Sequence, residues 1–178
     1  MRFFVLFLLS VSISACGINA NKEAETFDGF STDESSKLFF KNVRRSYYDV
    51  TILEAAKLET YRFKKRVVSE EQPIINLAIV NNWRYDEAYV LLEPNTVLNQ
   101  DELKIRWEEE GQQKVRVFAN TNTDSHVDFA DKVYELINAE IEMEIWAGDS
   151  WRSFLNTSQS KEAFRLTMYD YYRLVRRI

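Results

Sequence analysis

Two short runs of alternating apolar and charged residues, separated by a turn that contains glycine, limit most strongly how this chain can fold. Leu103, Ile105 and Trp107 alternate with basic residues, and Val115 and Val117 do the same after the turn EEEGQQ. Alternation with a period of two is typical of a strand with one buried face, and two such runs around a short turn predict a β-hairpin. Part of the core is therefore expected to rest on an antiparallel sheet.

Four other segments predict further strands. Residues 74–80 are nearly all apolar, which is typical of a central strand that is buried on both faces. Residues 140–146, EIEMEIW, alternate strictly and predict a strand with an outer face of glutamates. Residues 61–67 predict a strand with a basic polar face, whose lysines would protect a sheet edge or meet anionic groups. Residues 88–92 predict another strand, which follows the loop after residues 74–80.

Helices are predicted before the first strands. Ser35 or Ser36 is expected to cap a helix that runs to about Tyr48, although residues 40–48 also alternate enough to fit a strand. A second helical stretch is predicted for residues 50–58. The apolar stripe of the first helix is expected to consist of Phe39, Val43 and Tyr47, with Phe40 beside them.

A middle helix and a closing helix have clearer patterns. Ser125 and Asp128 predict a capped helix start, and its apolar stripe comprises Ala130, Val133, Tyr134 and Ile137. The last helix is predicted for residues 160–176. Its buried stripe is expected to contain Phe164, Thr167, Met168, Tyr171, Leu174 and Val175. Its opposite face is expected to lie in solvent and contains Arg165, Tyr169, Tyr172, Arg173 and Arg176.

This order of elements predicts an α+β fold, with an antiparallel β-sheet or small sandwich and packed helices that include a C-terminal helix. The chain has 178 residues, of which 14% are aromatic and only four are glycine. These values are typical of one compact, well-packed domain. A single cysteine permits no internal disulfide, so we expect apolar packing to supply the stability of the fold.

The first residues have the features of an export signal. Arg2 precedes an apolar run at residues 3–9, and small residues follow at Ser14 and Ala15. The run is shorter than the ~20 apolar residues that a membrane-spanning helix needs. Cys16, the one cysteine of the chain, follows directly.

Ile13, Ser14, Ala15 and Cys16 resemble the lipobox of bacterial lipoproteins. The resemblance implies that lipid is attached to the Cys16 thiol and that the preceding signal is removed. Each buried acyl CH₂ contributes about 0.8 kcal/mol, so two or more chains give a stable membrane anchor. The next residue is Gly17 and not aspartate, which by analogy with enterobacterial lipoproteins implies the outer membrane.

The lipobox divides the chain into three parts. Residues 1–15 are expected to be a lipoprotein signal peptide, residues 16–34 the lipidated cysteine and a flexible acidic tether, and residues 35–178 a single globular α+β domain. The body resembles uncharacterised flavobacterial lipoproteins in the stretches FFKNVRRSYYD, INLAIVNNWRYDEAY and EAFRLTMYDYYRLV. That resemblance implies no activity.

Few residues suggest catalysis or metal binding. His126 is the only histidine, and Asp124 and Asp128 beside it would be possible metal ligands, but acidic residues at a helix start also complement the helix dipole. A nucleophile elbow and phosphate-binding glycine motifs are absent from the sequence. With 28 acidic residues, no carboxylate pair can be singled out. We therefore predict no catalytic residue, no metal and no cofactor.

The most promising binding residues form the aromatic and polar cluster Trp83, Arg84, Tyr85 and Tyr89. Tryptophan, arginine and tyrosine are enriched in binding hot spots, and aromatic faces beside asparagine and aspartate also suit a sugar. The alternative is that Trp83 and Tyr85 turn inward and close the end of the sheet. The formal charge of −5 disfavours nucleic acid as a partner.

Together these patterns predict a lipid-anchored cell-envelope protein, located at the outer membrane and facing the periplasm or the surface. We expect a non-enzymatic binding or structural module for another envelope component, either protein or glycan. The alternatives are a lipid-anchored hydrolase that uses carboxylates, and a lipoprotein that carries a ligand or acts as an inhibitor.

Overall fold

The computed structural model describes residues 29–98 and 101–178. The predicted signal peptide, Cys16 and the tether up to residue 28 lie outside the described residues. In the described part of the chain, no helix has both the length and the apolar character needed to cross a bilayer.

The first half of the described chain builds a helical segment and one antiparallel sheet. Helix α1 (Glu34–Phe39) continues into a π-helical turn (Phe40–Arg44) and a 3-10 turn (Arg45–Tyr47). The first sheet has the strand order β1-β2-β3-β4. Its strands are β1 (Tyr48–Leu53), β2 (Leu58–Phe63), β3 (Ile75–Asn82) and β4 (Glu87–Pro94).

The second half builds another antiparallel sheet and two long helices. Strands β5 (Glu102–Glu109) and β6 (Gln112–Ala119) precede helix α2 (Thr123–Asn138). Strands β7 (Met143–Trp146) and β8 (Trp151–Phe154) then lead to helix α3 (Ser158–Leu174). The sheet order is β6-β5-β7-β8. Two antiparallel sheets with packed helices, including a C-terminal helix, confirm the predicted α+β fold.

The two long helices connect the sheets through one apolar core. Helix α2 contacts β4 and β6, and α3 contacts β3, β4 and α2. Phe129 of α2 and Met168 of α3 are both fully buried in this core. Ala78 and Ile79 are neighbours in β3 and are both fully buried, which confirms that this strand is covered on both faces.

The predicted hairpin is confirmed as β5 and β6. Leu103 lies opposite Phe118, and Glu109 lies opposite Gln112. The two residues between the strands, Glu110 and Gly111, have φ values of 54° and 74°. Positive φ at both central residues is what a type I′ turn requires, and this turn follows the natural twist of the strands.

The prediction of a helix at residues 50–58 is wrong. Residues Val50, Thr51 and Ile52 belong to β1, and only Glu54–Ala56 form a 3-10 turn. Three consecutive β-branched side chains favour an extended backbone, and β1 pairs along its whole length with β2. Strand β8 was not predicted, because its sequence, WRSF, places two polar residues between two apolar ones and does not alternate.

The caps of α1 and α2 are not the predicted serines, and Thr157 caps α3, for which no cap was predicted. The Asp33 carboxylate accepts a hydrogen bond from the Ser36 backbone N–H at 2.8 Å. Asn122 accepts one from the Ser125 N–H at 2.8 Å, and the Thr157 hydroxyl accepts one from the Ser160 N–H at 3.1 Å. A cap lies outside the helix and binds the N–H group three residues later, so the predictions were shifted inward.

Hydrogen bonds from Ser35 and then from the Ser36 N–H lower the pKa of Asp33 to about 2.

The predicted stripe of the first helix is also wrong. Val43 and Tyr47 are exposed, whereas Phe40, which was predicted beside the stripe, and Arg44, which was not, are buried. The π-helical turn contains more residues per turn than an α-helix. It therefore turns a different set of side chains toward the core from the set that an α-helical period predicts. Arg44 consequently lies inside the protein, where its side chain is only 7% exposed.

The buried stripe of α3 was predicted correctly, but its opposite face was not. Phe164 and Met168 are buried as expected, whereas Tyr169 and Tyr172 were expected in solvent and are 8% and 1% exposed. Helix α2 packs against α3, so α3 buries aromatic side chains toward a helix as well as toward a sheet. A single-stripe interpretation of the sequence does not include such a second contact.

Candidate functional site

The structure does not bring the predicted cluster of Trp83, Arg84, Tyr85 and Tyr89 into one site. Arg84 and Tyr85 lie exposed in the turn between β3 and β4. The guanidinium carbon of Arg84 is 5.4 Å from the centroid of the Tyr85 ring. Tyr89 lies on the face of β4 opposite to the buried Ala88. Trp83 alone lines a groove.

This groove has a volume of about 250 Å³ and lies between the N-terminal helical segment, strands β2 and β3, and the end of α3. We call it the Trp83 groove. Its lining residues are Lys37, Phe40, Lys41, Glu59, Tyr61, Asn81, Trp83 and Leu174.

Sheet register explains how the floor of the groove is assembled. Glu59 and Tyr61 are two residues apart in β2, so both side chains lie on the same face of the sheet. Asn81 of β3 is paired directly with Glu59. The π-helical turn closes this side, because it places the Phe40 ring 4.9 Å from the Tyr61 ring in an edge-to-face contact.

Trp83 is held at the rim of the groove by Lys57, which lies in the turn between β1 and β2. Its backbone N–H donates to the Lys57 carbonyl at 3.1 Å. The Lys57 ammonium lies over the indole ring at 5.8 Å from its centroid. The side chain is part-buried, so the ring is fixed in place and still reaches the groove.

Asn81 provides an unused hydrogen-bond acceptor. The residue is 9% exposed, and its carboxamide oxygen is buried without a hydrogen-bond donor in the described part of the chain. Leaving a buried polar group unpaired costs about 1–3 kcal/mol. A group of this kind in the wall of a groove is a natural contact for a ligand that carries an N–H or O–H donor.

The charged residues of the groove differ in how they are paired. The Tyr61 hydroxyl donates to the Glu59 carboxylate, and burial together with this carboxylate raises the pKa of Tyr61 above its usual value. The Lys37 ammonium binds Asp86 at 2.5 Å. Lys41 is exposed, and its ammonium group makes no hydrogen bond or ion pair with the other described residues.

Chemically, the groove combines an aromatic ring and apolar walls with two acceptors and two ammonium groups. Phe40 and Leu174 supply apolar surface beside Trp83. Asn81 and Glu59 accept hydrogen bonds. Such a mixture suits a small ligand that has both a hydrocarbon face and several hydroxyl groups.

The surroundings of His126 differ from those of a metal site. Both ring nitrogens are buried and have no partner among the described residues, and burial lowers the pKa of His126 below its usual value. Asp128 binds the Arg116 guanidinium at 2.8 Å, and Asp124 lies in the first turn of α2. Within residues 29–98 and 101–178, no group of three potential ligands is arranged to hold a metal ion.

Sequence reasoning found Trp83 but missed its neighbours in the groove. Lys41, Glu59 and Asn81 lie on three separate elements and share no motif, and only the pairing of β2 with β3 and the π-helical turn join them. The unpaired acceptor of Asn81 gives no signal in a sequence. Comparison of the chain with known protein families, with curated proteins and with solved structures finds no match.

Proposed function

We propose that this protein is a lipid-anchored cell-envelope protein that binds a glycan of the envelope in the Trp83 groove. The observation that carries the proposal is the buried acceptor of Asn81, which has no donor among the described residues and lies next to an aromatic ring in the wall of an open groove. A sugar ring supplies the complementary groups, because its hydroxyls donate hydrogen bonds and its C–H face packs on an indole ring.

The size of the groove favours one sugar unit at a time. Pockets that enclose drug-sized ligands usually have volumes of about 300–1,000 Å³. The Trp83 groove, at about 250 Å³, is smaller and open at one side. One unit of a longer chain fits this description, with the neighbouring units continuing into solvent.

The proposed anchor supports an envelope location. Residues 17–28 separate the lipidated Cys16 from the first described residue, and the thirteen Cα–Cα steps from Cys16 to Gly29 span at most about 45 Å when the chain is extended. The groove would then remain close to the membrane that holds the lipid. An envelope glycan is the class of ligand that is concentrated in that zone.

The anchor can be tested with Cys16→Ser. Because the hydroxyl cannot replace the thiol in lipid attachment, we expect this variant to lose fatty-acid labelling and to leave the membrane fraction. The measurement is labelling with a radioactive or clickable fatty acid, followed by membrane fractionation. A variant that is still labelled and still sediments with membranes would contradict the lipobox interpretation.

Binding can be tested with Trp83→Ala in the full-length protein in detergent micelles. Truncation of a central aromatic anchor usually costs at least about 2 kcal/mol, which corresponds to roughly a 30-fold weaker Kd. We expect such a loss for soluble tetrasaccharides, measured by isothermal titration calorimetry with neutral and acidic sugars. Trp83→Phe should retain most of the affinity, because it keeps an aromatic ring in the groove wall.

Tyr85→Ala is the matched control, because Tyr85 is an exposed aromatic residue of the same turn outside the groove lining. We expect its affinity to equal that of the unmodified protein. Saccharide binding that is lost in Tyr85→Ala and kept in Trp83→Ala would move the site out of the groove. Cleavage of a tetrasaccharide during the titration would favour the alternative of a hydrolase.

A further inference from the structure

We infer that the glycan unit held in the Trp83 groove is an acidic sugar, and that Lys41 binds its carboxylate. This inference rests on the proposed glycan-binding function and specifies the chemical class of the ligand.

The charges around the groove leave a positive surplus. Lys37, Lys41 and Glu59 line the groove, Lys37 is paired with Asp86, and Lys57 lies over Trp83 at the rim. These five groups comprise three cations and two anions. The chain as a whole carries a formal charge of −5. A positive site on an acidic protein attracts anionic ligands selectively.

Lys41 is the cation that remains available for a ligand. Lys37 is bound to Asp86, and the Lys57 ammonium lies over the Trp83 ring. Lys41 is exposed, lines the groove and makes no ion pair with the described residues. Binding a carboxylate here would therefore break no contact of the Lys41 ammonium with the described residues.

The other polar groups of the groove are acceptors, so a ligand that binds Lys41 through a carboxylate must also supply hydrogen-bond donors. The buried oxygen of Asn81 and the carboxylate of Glu59 both accept hydrogen bonds. Trp83 and Leu174 require an apolar face. A sugar acid carries hydroxyl donors, a carboxylate acceptor and a C–H face on one ring, whereas an acidic peptide side chain supplies only the carboxylate.

The test compares three probes on the full-length protein in detergent micelles. The probes are tetragalacturonate, the neutral tetramer of N-acetylglucosamine, and hexaglutamate as an acidic peptide. We expect tetragalacturonate to bind at least about tenfold more tightly than the neutral tetramer, which is the effect of one partly desolvated ion pair. Raising salt from about 50 mM to about 300 mM should reduce this preference, because salt screens exposed charges.

Lys41→Gln is the decisive variant, because it keeps a polar side chain of similar length and removes the charge. We expect it to weaken tetragalacturonate binding about tenfold and to leave binding of the neutral tetramer unchanged. Lys65→Gln is the matched control, since Lys65 is an exposed lysine outside the groove lining. It should bind both sugars like the unmodified protein. Free galacturonate, tested beside the tetramer, distinguishes a single sugar acid from a polymer as the source of this chemistry.

The outcomes separate this inference from the function on which it rests. Equal affinity for acidic and neutral tetramers, both lost in Trp83→Ala, would overturn the acidic-sugar inference and keep the glycan site. Binding of hexaglutamate alone would overturn both and indicate an acidic peptide as the ligand. Saccharide binding that Trp83→Ala leaves intact would remove the groove from either proposal.

Discussion

Asp170→Ala is expected to destabilise the folded protein by about 3–5 kcal/mol, because it leaves the buried Arg44 guanidinium without its partner. The Arg44 Nε donates to Asp170 at 2.7 Å, and the Tyr48 hydroxyl donates to the other carboxylate oxygen at 2.6 Å. The two charged side chains are 7% and 0% exposed. Domains usually have a total stability of about 5–15 kcal/mol, so this loss is a large fraction. Urea denaturation followed by circular dichroism measures it.

A matched multiple variant tests the reason for the loss. Replacing a whole buried ion pair by apolar residues is often neutral or stabilising, whereas removing one partner is costly. Arg44→Met with Asp170→Leu and Tyr48→Phe removes every polar group of the network. We therefore expect this triple variant to be clearly more stable than Asp170→Ala. If it is equally unstable, packing around Asp170 and not the unpaired charge causes the effect.

Burial also changes the ionisation of this network. It raises the pKa of Asp170 above its usual value, while the hydrogen bonds from Arg44 and Tyr48 act in the opposite direction. The network joins the π-helical turn to β1 and to α3, across more than 120 positions of sequence. The helical segment carries Phe40 and Lys41. The contacts of this network therefore attach that segment to the rest of the groove.

Local patterns predicted the parts of the fold that depend on neighbouring residues. The β5–β6 hairpin was predicted because its turn and alternation lie within one short stretch. The stripe through Phe164 and Met168 was predicted because it requires only the helical period. The buried face of β3 was predicted because its apolar run is continuous. Each of these signals is complete in fewer than twenty residues.

Features that depend on distant partners could not be predicted in this way. Arg44 looks like a surface residue in the sequence, and it is buried because Asp170 and Tyr48 meet it inside the protein. Trp83 was singled out from its residue type, but the groove around it requires the register that pairs Glu59 with Asn81. Nothing in a linear pattern shows that a side-chain oxygen lacks a donor.

Tyr172→Ala is expected to be the second strongly destabilising variant, at about 3–5 kcal/mol, which is typical for loss of a large buried aromatic side chain. Tyr172 is 1% exposed, and its ring packs edge-to-face on Tyr134 at 5.1 Å. Its hydroxyl donates to Asp131 at 2.7 Å, and the Arg177 guanidinium lies over its ring at 4.6 Å. Thermal unfolding of the purified variant provides the measurement.

Two related variants divide this effect into its parts. Tyr172→Phe keeps the ring and loses only the hydrogen bond to Asp131, which also accepts from Arg177 at 2.9 Å, so we expect a cost of about 0.5–1.5 kcal/mol. Arg165→Ala removes a side chain whose ion pair with Glu162 lies at the surface of the same helix, and such pairs contribute about 0–1 kcal/mol. Should Tyr172→Ala cost no more than Arg165→Ala, α3 would be packed along a single stripe, as its sequence period suggests. A large cost for the alanine variant with a small cost for the phenylalanine variant would instead show that packing between α2 and α3, more than the hydroxyl contact, holds the closing helix in place.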